Sequence, residues 1–133
     1  MLKILFNLLK LYGRSAIERL NGMFAFVFID RFERTALLAR DRVGIKPLYY
    51  SNVNNSFYFS SEIDSIIRLL GKKQIVNNKS IDYYLSLQYI PTPYTIWENI
   101  FKVPPGNYVE IDIDNLDSFS ILSFKSYWDA YKQ

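Results

Sequence analysis

The side chains in this sequence that could do chemistry are carboxylates, lysines, tyrosines and serines, because its 133 residues include neither cysteine nor histidine. A thiol nucleophile, a zinc site of the usual ligands and a His-dependent catalytic triad therefore cannot be built from it. The adjacent charges Arg40 and Asp41 are the first candidates. Neighbours on a strand point to opposite faces, so we expect each charge to bind loop backbone or a nearby side chain rather than to share a catalytic site.

Four further residues are candidates for shaping or lining a site. Gly44 and Pro47 are expected to fix a turn, since glycine permits a positive φ and proline holds φ near about −65°. We predict that Ser61 caps a helix. The carboxylate of Glu62, which follows it, would then interact favourably with the positive end of the helix dipole and needs no catalytic role. Met23 lies in an apolar run and, from the sequence alone, is expected to fill space in a buried strand.

The elements that position these residues alternate between helices and hairpins. A 3.6-residue apolar period and capping residues indicate the helices, and the continuous apolar run at residues 22–29 indicates a strand buried on both faces. This order predicts an α+β fold, largely antiparallel sheet with helices on one face. The predicted helices cover residues 3–12, 15–20, 61–70 and 80–87, and the predicted strands cover residues 22–29, 35–39, 48–51, 57–60, 108–113 and 119–124.

Composition restricts the class of protein. A chain of 15.7 kDa with 50% hydrophobic and 17% aromatic residues has the composition of one globular domain. Its net charge of +3 comes from residues spread along the chain, so we expect no nucleic-acid partner. The apolar first dozen residues are too short to span a bilayer, are interrupted by Asn7 and Lys10, and precede no small-residue cleavage site. We therefore expect a cytoplasmic protein with no membrane partner.

Three stretches stand out together: residues 20–26 (Leu-Asn-Gly-Met-Phe-Ala-Phe), residues 39–50 (Ala-Arg-Asp-Arg-Val-Gly-Ile-Lys-Pro-Leu-Tyr-Tyr) and residues 59–62 (Phe-Ser-Ser-Glu). In this order and spacing they resemble the second half of the glutaminase domain of glutamine-hydrolysing asparagine synthetases. A downstream region with Tyr-Ile-Pro-Thr-Pro at residues 89–93, Lys-Val-Pro-Pro-Gly at 102–106 and Tyr-Trp at 127–128 resembles the segment leading to the synthetase domain. The resemblance thus covers nearly the whole chain.

The resemblance implies a fold and a reaction for the complete enzyme. Residues 1–110 would be the second half of a class II glutamine amidotransferase domain, a partial four-layer αββα sandwich of the N-terminal-nucleophile hydrolase type, and residues 111–133 an exit hairpin and linker. In that family a terminal cysteine attacks glutamine, and ammonia passes through a tunnel, which the residue equivalent to Met23 lines. ATP with Mg then activates aspartate as an adenylate. Glutamine and aspartate are thus the implied substrates, and no cofactor is expected in this chain itself.

The reacting groups of that family have no counterpart here. The family's cysteine, Asn-Gly oxyanion motif and glutamine-binding arginine lie upstream of the matching residues, and its glutamine-binding aspartate would fall at about Met1. The Ser-Gly-Gly-Leu-Asp-Ser pyrophosphate loop is also missing. We therefore expect no catalytic, glutamine-binding or metal-binding residue, and a fragment that is inactive alone. Whether the chain is an enzyme in its own right is open, as is its origin as a gene product, a split subunit or a decayed frame.

Two alternatives stay open. The chain could be a non-catalytic subunit that complements a separate front half, since half a sandwich exposes an apolar sheet face. It could also be part of another class II amidotransferase, because glutamine phosphoribosyl-pyrophosphate amidotransferases have similar Arg-Asp, Gly-Ile and Pro-Leu loops. An aromatic cluster is expected to pack against the synthetase domain rather than to stack on bases. Its members are Tyr83, Tyr84, Tyr89, Tyr94 and Trp97.

Overall fold

The helices and strands follow the predicted order in a computed structural model that describes residues 2–71, 73–115 and 123–129. In these ranges no helix is both long and apolar enough to cross a bilayer. The elements are α1 (Leu2–Tyr12), a 3-10 helix (Gly13–Arg19), β1 (Ala25–Asp30), β2 (Thr35–Arg40), β3 (Tyr49–Val53), β4 (Ser56–Ser60), α2 (Ile63–Leu70), α3 (Asn78–Leu87), β5 (Phe101–Lys102), β6 (Asn107–Asp112) and β7 (Lys125–Ser126).

The described strands form two antiparallel sheets. The first has the order β1-β2-β6-β7 and the second the order β4-β3-β5. The hairpins β1–β2 and β3–β4 therefore belong to different sheets, although they follow each other in the chain. Helices combined with antiparallel sheets confirm the predicted α+β class.

The main core lies between the two sheets. Leu38 of β2 and Tyr50 of β3 are fully buried there, and their neighbours in sequence face the other way, as the two-residue period of a strand requires. Both sheets therefore contribute alternate residues to one shared core. The other buried members of this cluster are Ala36, Leu48, Phe101, Val103, Val109 and Ile111.

Helices cover the outer faces of the sheets. Leu37 and Ala39 of β2 pack against α1 and the 3-10 helix, where Leu9 and Ile17 are buried. The helix α2 contacts β3 and β4, and its Ile66 is fully buried outside the core between the sheets. The layers therefore run helix, sheet, sheet, helix.

The apolar run at residues 22–29 differs from its prediction as a strand buried on both faces. The strand starts only at Ala25, most of its residues are half-buried, and Ile29 is 50% exposed. Met23 precedes the strand and is 57% exposed, so it does not fill space in a core. The physical reason is position in the sheet: among the described strands, β1 lies at the edge and has only β2 beside it.

Helix and turn signals gave mixed results. Ser61 does not cap α2; Glu62 occupies the N-cap position, and Ser60 Oγ accepts the Glu62 N–H at 3.1 Å. The predicted end of α2 at Gly71 is confirmed by its left-handed φ of 62°. Of the α-helix predicted at residues 15–20, residues 15–19 form part of a 3-10 helix instead, and Leu20 is extended.

The C-terminal segment continues the first sheet. The predicted boundary after residue 110 falls inside β6, which pairs with β2 on one side and β7 on the other. Of the strand predicted at residues 119–124, residues 119–122 lie outside the described ranges. The short β7 therefore provides the observed antiparallel partner of β6 in the C-terminal segment.

Candidate functional site

The loop at residues 41–47 is organised around one buried carboxylate. Asp41 is 1% exposed, and its two oxygens accept the backbone N–H groups of Ile45 and Lys46, each at 2.9 Å. Its backbone carbonyl accepts the N–H groups of Gly44 and Gly106 at 3.1 and 2.8 Å. Burial alone would raise the pKa of Asp41, but backbone N–H donors from the loop outweigh burial and lower that pKa. Asp41 is therefore held as an anion.

Arg40 holds the same loop from the carbonyl side. Its guanidinium donates to the backbone oxygens of Lys46 and Gly44, both at 2.7 Å, and to that of Val103 at 2.8 Å. Burial lowers the pKa of Arg40, although the charge of Asp41 opposes this effect. The expectation that each charge binds loop backbone is confirmed. Both side chains bind the same loop, which follows the end of β2. The alternation of side chains along a strand did not indicate this arrangement.

Two glycines allow this loop to approach the rest of the chain. Gly44 has a φ of +72°, as predicted from its residue type, and a side chain there would lie 2.8 Å from Pro105 Cγ. Gly106 has a φ of +64°, and a Cβ there would lie 2.8 Å from the carbonyl oxygen of Trp128.

Tyr127 also holds the start of the loop, because its hydroxyl donates to the Arg40 carbonyl at 2.8 Å. Burial raises the pKa of Tyr127 to about 12, so the phenol keeps its proton.

We expect Gly106→Ala to lower the free energy of unfolding by about 2 kcal/mol or more, because the backbone conformation and the contact with Trp128 both oppose a side chain. The measurement is urea unfolding followed by tryptophan fluorescence. Gly71→Ala is the matched control, since Gly71 has a similar φ of +62° and open space around it. Equal losses for the two variants would contradict the importance of the close approach.

The loop forms one wall of an apolar cavity of about 560 Å³. Met23 and Pro47 line it, whereas Arg40, Asp41 and Gly44 form the hydrogen-bonded frame of the loop next to it. Glu62 follows Ser61 of the lining and is exposed. The remaining lining residues, none of which was a candidate site residue in the sequence, are Leu5, Phe24, Ala25, Phe26, Val27, Lys46, Leu48, Phe59, Ser60 and Ser61.

The cavity is suited to holding a small neutral molecule away from water rather than to reacting with it. Its walls are mainly apolar, and an apolar wall disfavours ions relative to neutral molecules. Lys46 and two serines supply its polar groups. In the described part of the chain, no group of three His, Cys, Asp or Glu side chains is placed to hold a metal ion. Among the described residues, the lining of this cavity carries no carboxylate that could bind Mg, so we assign the lining residues no step in nucleotide chemistry.

The aromatic cluster predicted from the sequence is only partly assembled. The rings of Tyr83 and Tyr94 lie 6.1 Å apart, and the Lys79 ammonium lies 5.6 and 5.4 Å from their centroids. Tyr84 and Tyr89 are exposed. The cluster therefore presents aromatic surface next to Lys79, and its expected packing partner stays a prediction.

Nearly the whole sequence matches a known protein family, and it is similar to named proteins of that family. The sequence profile of a family described as "Glutamine amidotransferase domain" matches residues 2–128. Over 120 residues, 90% of this chain, it is 34% identical to asparagine synthetase [glutamine-hydrolyzing] 1 of Bacillus subtilis. Over 112 residues, 80% of the chain, it is 37% identical to a Methanocaldococcus jannaschii protein provisionally named asparagine synthetase [glutamine-hydrolyzing] 2.

A third relative has a different name. Amidase chry2 of Gibberella zeae is 34% identical over 107 residues, 80% of this chain. The matches cover 18%, 22% and 15% of the Bacillus, Methanocaldococcus and Gibberella proteins, so the chain spans about a fifth of its relatives' length or less. The profile match over nearly the whole sequence settles the family. This chain belongs to the glutamine amidotransferase domain family.

Proposed function

We propose that these residues are the scaffold half of the glutaminase domain of a glutamine-hydrolysing asparagine synthetase. The observation that carries the proposal is the loop at residues 41–47, which Arg40 and Asp41 hold against an apolar cavity, in a chain 34% identical to such an enzyme over 90% of its length. The nucleophilic thiol and the glutamine-binding groups would come from outside these 133 residues, which contain no cysteine.

In this function the cavity would guide ammonia. Met23 and Phe24 give it apolar walls, and such walls favour neutral ammonia over ammonium, which cannot attack an activated carboxyl group. The loop backbone, with its amides bound to Asp41, would keep that wall rigid during turnover. In the complete enzyme, ATP and Mg would activate aspartate in a separate domain. The compartment that we propose for it is the cytoplasm, where glutamine and ATP are both abundant.

The test is complementation of glutamine hydrolysis. The purified 133-residue chain should release no ammonia from glutamine. After mixing with the part of Bacillus subtilis asparagine synthetase 1 that precedes its matched region, hydrolysis should appear in a coupled ammonia assay, because the two parts then supply scaffold and thiol. The control replaces the amino-terminal cysteine that the resemblance implies for that part with alanine. Hydrolysis by the 133-residue chain alone, or none from the mixture, would contradict the proposal.

A second candidate is the scaffold of an amidotransferase with another acceptor. The 34% identity to Amidase chry2 favours it, because that identity equals the one to the Bacillus synthetase. Both candidates share the glutaminase half-reaction. They differ in the acceptor that the separate domain of the complete enzyme amidates, so amidation of aspartate by the complete enzyme would identify the first candidate.

A further inference from the structure

An asparagine followed by glycine lies in the segment that joins the 3-10 helix to β1. These residues are Asn21 and Gly22, and no other asparagine of the chain precedes a glycine. Glycine has no Cβ, so its backbone nitrogen can approach the preceding side chain closely. That nitrogen and the side-chain carbonyl carbon of asparagine are spaced to close a small ring. The pair is therefore a chemically reactive element that needs no other catalytic group.

The segment that carries this pair is fixed at its two ends and free between them. The Leu20 N–H donates into the 3-10 helix at 3.1 Å, and the Phe24 carbonyl accepts the Asp41 N–H at 2.8 Å. Within the described ranges, neither the side chain of Asn21 nor the N–H of Gly22 takes part in a hydrogen bond. Both reacting groups are therefore available.

The surroundings of Gly22 leave room for the ring to close. Gly22 has a φ of +125°, and a Cβ built there would have no heavy atom within 4 Å. Asn21 and Met23, on either side, are exposed. Ring closure requires the backbone of Asn21 to rotate until its side chain reaches the next nitrogen. A segment without hydrogen bonds or packed neighbours can rotate in this way while the rest of the fold stays closed.

Other asparagines of the chain are held more firmly. The Asn107 amide donates to the Pro105 carbonyl at 2.7 Å, and the Asn77 side chain accepts the N–H that begins α3 at 3.3 Å. Asn55 lies in a hairpin turn, and the residue after it, Ser56, already pairs with β3. Among these sites, Asn21 combines a glycine neighbour with a free backbone.

We propose that Asn21 is a site of spontaneous deamidation. The Gly22 nitrogen loses its proton to solvent and bonds to Cγ of Asn21, the Cγ–Nδ2 bond breaks, and Nδ2 takes up a proton and leaves as ammonia. Water then adds to one of the two carbonyl carbons of the cyclic imide and opens the ring. Attack at Cγ gives aspartate, and attack at the backbone carbonyl gives isoaspartate. Water is the only co-reactant, so the reaction is independent of glutamine and of any other domain.

The modification would change the chain close to the apolar cavity. Asn21 lies two positions before Met23, which lines that cavity, and the formal net charge of +3 falls by one unit. Isoaspartate also inserts one methylene group into the backbone. Because Leu20 and Phe24 are both anchored, the extra atom must be accommodated at Gly22 and Met23. The wall at Met23 would therefore alter as the protein ages.

The first test is peptide mass spectrometry of the 133-residue chain after incubation at neutral pH and body temperature. Trypsin should release residues 20–31 as one peptide, in which Asn21 has the only amide side chain. Over days this peptide should gain one mass unit, and a protein isoaspartate methyltransferase should label it. The peptide of residues 43–68 contains the Asn55 turn and is the internal control. It should change about tenfold more slowly or less, because its turn is held in a hairpin.

The second test compares variants and conditions. Asn21→Gln would need a larger ring, so the mass gain should slow by about tenfold or more, while the circular dichroism stays that of the parent chain. Raising the pH by about one unit should speed the reaction about tenfold, because the attacking species is the deprotonated nitrogen. Unfolding the chain in urea should change the rate at Asn21 by less than about threefold, since no hydrogen bond has to open.

Three outcomes would overturn the inference. The first is a peptide of residues 20–31 that keeps its mass over several weeks. The second is a reaction about tenfold or more faster in urea than in the folded chain, which would show that the fold holds this segment. The third is aspartate formed without isoaspartate, which would mean direct hydrolysis of the side chain and no attack by Gly22.

Discussion

Replacing Asp41 by alanine should lower the free energy of unfolding by about 3 kcal/mol, because two part-buried backbone N–H groups lose a buried, charged acceptor. These groups belong to Ile45 and Lys46, and alanine offers neither of them a substitute. The part of the cavity lining that the loop contributes, Lys46 and Pro47, would then no longer be held in place. The measurement is chemical unfolding at neutral pH.

The matched control is Asp30→Ala. The Asp30 carboxylate accepts the N–H groups of Phe32 and Glu33 at 2.8 and 3.0 Å, which is the same chemistry in an exposed turn. Because water can replace an exposed acceptor, the control should lose about 1 kcal/mol or less. Equal losses for the two variants would show that the burial of Asp41 contributes nothing.

The same carboxylate gives the chain an acid-sensitive component of stability. A group whose folded pKa lies below its unfolded value of about 3.9 stabilises the fold above that value and ceases to do so as the pH falls through the folded pKa. The pKa of Asp41 is lowered. Stability should therefore decline below about pH 4, and this part of the decline should be missing from Asp41→Ala.

The second large effect is expected at the core between the sheets. Leu38 is fully buried in the middle of β2 and packs in the cluster that joins both sheets. Leu38→Ala removes apolar contacts and leaves a cavity, so the free energy of unfolding should fall by about 2–5 kcal/mol. The control Leu69→Ala removes an equal volume from a side chain that is 63% exposed, and should change stability by less than about 0.5 kcal/mol. A small loss at Leu38 would mean that the two sheets hold together by other contacts.

Local signals in the sequence predicted the order of the main helices and hairpins. The Asn54-Asn55 turn between β3 and β4 has φ values of 52° and 54° at its two central residues, as a tight hairpin turn requires. Local signals do not show that the hairpins β1–β2 and β3–β4 lie in different sheets, because the strands of both sheets have the same two-residue side-chain period. They also misjudged residues 22–29, because a continuous apolar run is equally consistent with a buried strand and with an edge strand whose partner lies elsewhere.

The candidate site was predicted by residue type but not by geometry. Gly44 was correctly assigned to a turn with positive φ, and Arg40 and Asp41 to loop backbone. The sequence could not show that Gly106 and Tyr127 close on this loop, since those contacts join residues far apart along the chain. It also could not show the cavity, whose lining comes from α1, β1, the loop and the end of β4.

The bonds that brace the loop have a consequence for synthesis on the ribosome. Arg40 reaches Val103 across 63 positions and Tyr127 across 87. A growing chain can form the β1–β2 hairpin soon after it emerges, but the loop gains its last hydrogen bond only when Tyr127 leaves the exit tunnel. Closing such long spans is slow relative to local folding. A polypeptide truncated before Tyr127 would therefore keep the bonds of Asp41 and Arg40 within the loop but would lack this last hydrogen bond.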